Sequence, residues 1–169
     1  MARLRLAFAG RDGGPQPHLS VDGMTPAGPN LSHWPGNRTP RQWKRDLSTG
    51  IALAFARGEA TEQEAFLGDA TWVVNDHYDT DGFGSLLAIL RPELAFAREE
   101  RLLAAAATGD FGVWQTWRGF AIDRIVKHLA DEHSPVKGAF SPVADDPDER
   151  SLARYRWLIE HAESVLDHP

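Results

Sequence analysis

The residues whose types could do chemistry are concentrated in one short stretch, "NDHYDTDGFGS", residues 75–85. It holds Asp76, Asp79 and Asp81 together with His77, and it lies between the apolar runs "ATWVV" and "LLAIL". Carboxylates this close together repel each other unless a positive charge lies among them. The stretch therefore indicates a bound cation, a basic partner or full exposure to solvent.

The elements on either side give this stretch a position in a fold. "TWVVN" has the composition of a buried strand, and a helix is predicted to begin near Gly82. The acidic residues then follow the carboxyl end of a strand, where open α/β sheets bind ligands. They also lie near a helix amino end, whose partial positive charge favours carboxylates. One aspartate can cap that helix, but capping does not account for all three.

The spacing does not match a calcium-binding EF-hand loop. With Gly82 at the sixth position of such a loop, Ala88 takes the place of the bidentate glutamate, and a strand precedes the loop where a helix is required. Carboxylates beside an imidazole suit a transition-type ion that accepts both oxygen and nitrogen ligands. We therefore expect a divalent metal, manganese first and magnesium second, with Asp76, Asp79 and Asp81 as ligands and His77 among the catalytic residues.

One loop cannot surround an ion, because successive side chains diverge and a hard cation takes about six ligands. Three further residues lie where the chain turns: Asp110 after an apolar helix, His33 on a long loop and Asp22 at the end of a predicted strand. We rank Asp110 first, then His33, then Asp22. The alternative role for Asp110 is to cap a helix that begins near Trp114.

The stretch "SHWPGNRTPRQWKR", residues 32–45, carries a second constellation. Thr39 as N-cap and Pro40 at the first position predict a helix that ends near Gly58. Arginines at a helix amino end form an anion site. The predicted phosphate-binding residues are His33, Asn37, Arg38 and Arg41. The alternative is a solvated first turn in which Trp34 packs as a loop anchor.

The predicted fold is α/β, with a small, mostly parallel sheet formed by the N-terminal half and a helix-rich C-terminal half. The strands are "RLRLAF", "HLSVDG" and "TWVVN", and residues 24–40 are predicted to form a long loop. One helix is expected from Pro92 to "LLAAAAT" and another through "LARYRWLIEHAESVL". Trp114, Trp117 and Trp157 are expected in the core.

Composition limits the class of protein. A chain of 169 residues with 42% hydrophobic and 25% charged residues can bury one core, so residues 1–169 are interpreted as a single α/β domain. The absence of cysteine excludes thiolate metal sites and favours a reducing compartment, which we take as the cytoplasm. A net charge of −6 argues against broad nucleic-acid binding, and no apolar stretch reaches the ~20 residues that a membrane span needs.

The stretch "VVNDHYDTDGFGSLLAIL" resembles the first motif of the DHH phosphoesterase superfamily, in which a buried strand leads into a DxDG loop and a helix. "LLAAAATGDFG" is similar to the second motif of that superfamily. The resemblance implies manganese-dependent hydrolysis of phosphoesters, with Asp79, Asp81 and Asp110 as metal ligands. The sequence shows neither an Asp-His-His segment nor the glycine-rich histidine motif of the usual C-terminal domain.

A wider likeness covers roughly residues 18–112. "HLSVDG", "LSHWPGNRTP", "DLSTGIAL", "NDHYDTDG" and "ATGDF" together resemble an uncharacterised bacterial family in which these segments occur in this order. Its members are longer, which leaves open that the chain is the N-terminal part of a larger architecture.

Two functions of different class follow. The first is a manganese-type phosphoesterase-like hydrolase acting on a phosphate-containing small molecule or nucleotide, in which the metal generates hydroxide and Arg38 or Arg41 neutralises the phosphate. The second is a non-catalytic module whose acidic loop holds a metal or a cationic ligand. The sequence names neither the substrate nor the oligomeric state.

Overall fold

A computed structural model describes residues 4–10, 12–131, 133–134 and 146–169. Its sheet has four strands in the order β1-β4-β2-β3, and every neighbouring pair is parallel. The strands are Arg5–Phe8 (β1), His18–Val21 (β2), Asn30–Leu31 (β3) and Trp72–Asn75 (β4). Because parallel strands end at the same edge, the loops that follow β2, β3 and β4 meet there.

Helices make up most of the remaining described chain, which confirms the predicted α/β class with a helix-rich C-terminal half. They are Ser48–Ala56 (α1), Ala60–Leu67 (α2), Thr80–Leu90 (α3), Pro92–Phe96 (α4), Glu99–Phe111 (α5), Trp117–Ala130 (α6), Pro147–Glu160 (α7) and Ala162–Asp167 (α8). Helix α3 is buried along almost its whole length and packs against α1, α5 and α7. Its sequence is mostly apolar, as expected for a central helix, and its buried polar residues Thr80, Asp81 and Ser85 lie in its first half.

The helix predicted from Pro40 is interrupted. Residues Arg41–Trp43 form a short 3-10 turn, and α1 begins only at Ser48. Thr39 does not cap a helix, because its hydroxyl accepts the N–H of Ser32 and lies 3.0 Å from the carbonyl of the same residue. The threonine thus stabilises the preceding loop.

Two other long helices predicted from the sequence are each divided in two. α4 ends at Phe96 and α5 starts at Glu99, while α7 ends at Glu160 and α8 starts at Ala162. The predicted 24–40 loop also contains β3, which has only two residues and therefore no readable alternation. The first half of the "SPVADDPDER" connector, residues 141–145, falls outside the described residues, and its second half forms the N-cap and the start of α7.

Of the three tryptophans expected in the core, only one packs against it. Trp114 is 64% exposed and Trp117 is 66% exposed, so their placement in the core is wrong, whereas Trp157 packs against the core cluster. Trp114 and Trp117 stack on each other and on Phe120, which replaces part of the missing core contact. No helix in the described part of the chain is long and apolar enough to cross a bilayer.

Candidate metal centre

The acidic loop lies where the sheet topology requires. It leaves the carboxyl end of β4, which pairs with β1 on one side and β2 on the other. Asp22 follows β2, and His33 lies just beyond β3. Three loops that are far apart in sequence therefore bring carboxylates and imidazoles to one edge of the sheet.

Two of the three carboxylates in the acidic loop serve as helix caps. Asp79 is the N-cap of α3 and accepts the N–H of Gly82 at 2.7 Å. Asp81 is fully buried and caps a different helix, since its two oxygens accept the N–H groups of Ser48 and Thr49 at the start of α1. The helix dipole of α1 favours this negative charge.

Glycines allow the neighbouring elements to approach this loop. A Cβ on Gly82 would lie 2.3 Å from the Tyr155 hydroxyl oxygen, and one on Gly84 would lie 2.2 Å from Oγ1 of Thr49. Any larger residue at these positions would push α7 or α1 away from the acidic loop. The "DGFG" sequence is thus required for close approach as well as for turn formation.

His77 lies between carboxylates on both sides of its ring. Nδ1 is 2.7 Å from Oδ1 of Asp76, and Nε2 is 3.0 Å from Oδ2 of Asp79 and 3.4 Å from Oδ2 of Asp22. Burial lowers the pKa of His77, but the contacts with these three aspartates outweigh it and raise the pKa to about 12. Without a bound metal, the imidazolium itself neutralises part of the cluster.

Asp76 holds this arrangement together. Its Oδ2 accepts the N–H of Met24 at 3.0 Å, and its Oδ1 faces Nδ1 of His77. Burial raises the pKa of Asp76, but the bonds with His77 and Met24 outweigh it and hold the pKa below its usual range. Since both oxygens of Asp76 are engaged, this carboxylate orients His77 and leaves Nε2 directed at Asp22 and Asp79.

His33 is fixed in the same way. Its Nδ1 lies 2.7 Å from the carbonyl oxygen of Asp46, and because a carbonyl only accepts, Nδ1 carries the hydrogen. In the neutral ring Nε2 then has a free lone pair, and this atom is 3.4 Å from Oδ2 of Asp110. An outer oxygen that fixes the tautomer of a histidine is the usual support of a metal-binding imidazole.

Asp22 is the least compensated carboxylate of the cluster. It is fully buried, its φ of 52° is in the left-handed region, and neither oxygen accepts a hydrogen bond from the described residues. The contact between Oδ2 and His77 is an ion-pair distance without hydrogen-bond geometry. Burial raises the pKa of Asp22 to about 7; the charges of Asp79 and Asp81 add to the rise, and the contact with His77 opposes it.

Asp22 also belongs to two overlapping groups of possible ligands. One ligand atom from each of Asp22, His77 and Asp79 lies within 4.8 Å of the others, and the same holds for Asp22, His33 and Asp81. Ligands at ~2.0–2.6 Å from one ion are separated by distances of this order. The two groups share one carboxylate, that of Asp22.

Asp110 lies in the last turn of α5, at the edge of the cluster. It does not cap α6, because the N-cap there is Thr116, whose hydroxyl accepts the N–H of Gly119. Burial raises the pKa of Asp110 to about 7, and the charges of Asp81 and Asp79 add to the rise. The structure thus brings Asp110 to His33, as a ligand set would require.

The predicted phosphate-binding residues are divided between loop structure and solvent. Arg38 donates to the carbonyl oxygens of Thr25 at 2.9 Å and Gly28 at 3.1 Å. Asn37 donates to the carbonyl of Trp34 and accepts the N–H of Thr39. Arg41 is exposed on the 3-10 turn. Arg38 and Asn37 therefore shape the loop that carries His33, and binding roles for the three residues stay predictions.

Sequence reasoning missed the residue that anchors the acidic loop from the C-terminal half. The Tyr155 hydroxyl donates to the carbonyl of His77 at 2.9 Å and accepts the N–H of Asp79 at 3.1 Å. Asp46, Ser48 and Thr49 were also missed, because they contact the site residues through backbone groups, which no pattern of side-chain types reveals. No local pattern identifies contacts that span 78 residues, although Tyr155 lies on the buried face of an amphipathic helix.

An open groove of about 700 Å³ adjoins the cluster. It is lined by His33, Trp34, Pro35, Arg45, Asp46 and Phe111. The Phe111 ring stacks on His33 with centroids 6.3 Å apart, and Trp34 lies 5.1 Å from the ring of His77. The groove therefore opens onto the imidazole of His33, and its Trp34 wall contacts that of His77.

The fold and the site define an α/β protein with a carboxylate and imidazole cluster at the carboxyl edge of a parallel sheet. The chain belongs to a family of unknown function (DUF6687), which matches residues 5–169. Comparisons with curated proteins and with solved structures found no match.

Proposed function

We propose that the cluster around Asp22 binds a divalent metal ion, manganese first, and that the protein hydrolyses a phosphate-containing small molecule or nucleotide. The observation that carries the proposal is the environment of Asp22. This buried carboxylate accepts no hydrogen bond from the described residues, lies next to His77, and belongs to both groups of three possible metal ligands. A buried carboxylate that accepts no hydrogen bond is costly, and a cation among these oxygens reduces that cost.

The chemistry of the donors supports manganese over calcium or magnesium. Two imidazoles and several carboxylates form a mixed nitrogen and oxygen set, which suits transition-type ions, with magnesium as the second candidate. We assign Asp22, His77 and Asp79 to one triad and Asp22, His33 and Asp81 to the other, with Asp110 beside His33. Asp76 is assigned the orienting role towards His77. The resemblance of Asp79, Asp81 and Asp110 to ligand positions of the DHH phosphoesterase superfamily agrees with this assignment.

A bound metal would supply hydroxide at neutral pH by lowering the pKa of a coordinated water. The chain's own residues then bind and position the ester. His33 lines the groove and Asp110 lies beside it, so this pair can orient the substrate. Arg41 is assigned to the phosphate ahead of Arg38, because the guanidinium of Arg38 already donates to Thr25 and Gly28.

The alternative is a metal- or ligand-binding module without turnover. The engagement of the carboxylates favours it, since Asp79 and Asp81 already cap helices and His77 already supplies a positive charge. Metal binding separates both proposals from a purely structural cluster, and turnover separates one from the other.

The test begins with elemental analysis of protein purified without chelator, followed by calorimetric titration with Mn²⁺ and an assay of phosphate release from a panel of phosphate esters. The hydrolase proposal predicts metal binding and metal-dependent release of phosphate. Binding without release from any ester supports the module. Absence of binding at millimolar Mn²⁺ overturns both.

A further inference from the structure

We propose that the groove between Trp34 and Phe111 is a subsite for a flat aromatic ring carried by the phosphate ester, an inference that rests on the proposed hydrolase function. The groove shares His33 with the candidate metal centre, so a group bound there lies directly beside the reacting phosphate. Its volume of about 700 Å³ falls within the ~300–1,000 Å³ range of small-molecule sites.

The two aromatic side chains are exposed where the groove needs them. Trp34 is 43% exposed and Phe111 is 53% exposed. Each also touches one imidazole of the cluster, Trp34 at His77 and Phe111 at His33. A flat ring that enters the groove can cover these exposed faces, since aromatic pairs gain from stacked or tilted contact beyond simple burial.

The supports of the groove are rigid before any ligand arrives. The Trp34 N–H donates to Oγ of Ser32, and its carbonyl accepts from both the backbone and the side chain of Asn37. On the other side, Phe111 is the last residue of α5, which Gly112 ends in the left-handed conformation. A subsite that is already ordered loses little entropy on binding.

The lining of the groove offers one guanidinium, that of Arg45, together with the carboxylate of Asp46. The side chain of Arg45 lines the wall, with Nη1 held by the carbonyl oxygens of Gln42 and Lys44. A guanidinium at the entrance attracts an anionic ester, while the rings accept its flat group. The occupant is therefore an ester whose phosphate carries an aromatic or heteroaromatic ring, either attached directly or placed beyond a sugar.

Non-hydrolysable phosphonates test this on Mn²⁺-loaded protein by calorimetry. We expect phenylphosphonate or adenosine 5′-phosphonate to bind at least about tenfold more tightly than methylphosphonate, as one stacked ring predicts. The ring-bearing ligand that binds more tightly identifies the source of the ring. Equal affinity of all three ligands overturns the subsite, and so does absence of binding by all three.

Variants locate the effect. Trp34→Ala and Phe111→Ala should each reduce the preference for the ring, measured as the ratio of phenylphosphonate to methylphosphonate affinity, several-fold, and Trp34→Phe should retain most of the preference. Trp117→Ala, at an exposed aromatic residue outside the groove, is the control. If the preference for the ring persists in both alanine variants, the subsite is contradicted and the proposed function is not. If the unaltered protein does not bind Mn²⁺, the proposed function itself is contradicted.

Discussion

Nε2 of His77 lies 3.4 Å from Oδ2 of Asp22, a contact that joins the loop after β4 to the loop after β2. The two residues are far apart in sequence, so no local pattern predicts that they meet. The contact places an imidazole whose pKa is raised to about 12 against the least compensated carboxylate of the cluster. In the absence of metal, the imidazolium of His77 neutralises part of the negative charge around Asp22; a bound metal ion would take over that role.

Replacing Asp22 by asparagine should weaken Mn²⁺ binding by at least about tenfold, about 1.4 kcal/mol, because both triads lose their shared ligand. The same change should raise the melting temperature of the metal-free protein, since it removes a buried carboxylate without a hydrogen-bond donor. Calorimetry and thermal unfolding in chelator measure the two effects. Asp69→Asn, at an exposed position, should change neither. A destabilised Asp22→Asn variant with normal metal affinity would show that Asp22 is structural.

Asp79→Asn and Asp81→Asn should also weaken Mn²⁺ binding by at least about tenfold, but only the second should markedly destabilise the fold. Asparagine caps a helix as well as aspartate, so α3 keeps its cap in Asp79→Asn. Asp81→Asn loses charge-assisted bonds to Ser48 and Thr49 and should lower the free energy of unfolding by about 1.5–3 kcal/mol.

Histidines outside the cluster provide the control for metal titrations. Alanine at His128 or His133 should leave Mn²⁺ affinity unchanged, whereas His33→Ala should reduce it. Chemical denaturation gives the stability of each variant. Equal loss of binding in His33→Ala and His128→Ala would exclude His33 as a specific ligand.

The stability of the metal-free protein should depend on the ionisation of Asp22 between pH 5 and pH 8. Burial raises the pKa of Asp22 from 3.8 to about 7, so in this range the folded state retains a proton that the unfolded state has lost. Rising pH therefore destabilises the fold through this residue. Asp22→Asn should accordingly gain more stability over the unaltered protein at pH 8 than at pH 5, as measured by denaturant unfolding. A gain that is the same at both pH values would contradict a raised pKa.

Metal binding should show the opposite pH dependence. Mn²⁺ displaces protons from the cluster, including those on Asp22 and Asp110, whose pKa values are both raised to about 7. Affinity should therefore rise as the pH increases from 5 to 8. Calorimetry in two buffers with different ionisation enthalpies should detect proton release, and its absence would show that the metal binds elsewhere.

Tyr155→Phe should weaken metal binding without touching any ligand. The change removes the hydroxyl that bonds to His77 and Asp79, leaves a buried carbonyl and N–H unpaired, and should lower the free energy of unfolding by about 1–3 kcal/mol. The comparison is Tyr78→Phe, which removes a hydroxyl bonded to the carbonyl of Val126 in α6. Both should destabilise the fold, but Tyr155→Phe should reduce Mn²⁺ affinity more. Equal affinities would mean that the loop keeps its geometry without the Tyr155 hydroxyl.

Alanine substitutions of Arg38 and Arg41 should have different effects, the first on stability and the second on phosphate binding. Arg38→Ala removes the bonds to Thr25 and Gly28 and should cost about 1–3 kcal/mol of stability. Arg41→Ala, at an exposed position, should change stability by less than about 0.5 kcal/mol but weaken methylphosphonate binding to the Mn²⁺-loaded protein. Unchanged phosphonate affinity in Arg41→Ala would remove this residue from the phosphate site.

Sequence reasoning reached the fold class and the placement of the acidic loop because both depend on local patterns. Residues 72–90 form, one after the other, a buried strand, a loop and α3. The interruption before Ser48 could not be predicted, since it depends on Thr39 bonding to Ser32 across the loop. The central place of Asp22, which we ranked third, depends on the strand order, because β4 lies beside β2 only in the folded sheet. Trp114 and Trp117 were misplaced because an apolar pattern does not tell a core from an exposed cluster.

The position of β4 between β1 and β2 also determines when a newly synthesised chain can acquire its cluster. The described strands β1 and β2 share no ladder, so the sheet cannot close before Trp72–Asn75 has left the ribosome. The acidic loop then lacks its anchor until α7 brings Tyr155 to His77. Because such long-range contacts form slowly, a partly translated chain presents Asp22 and His77 without the geometry that fixes them. The complete geometry of the cluster therefore requires the C-terminal helices.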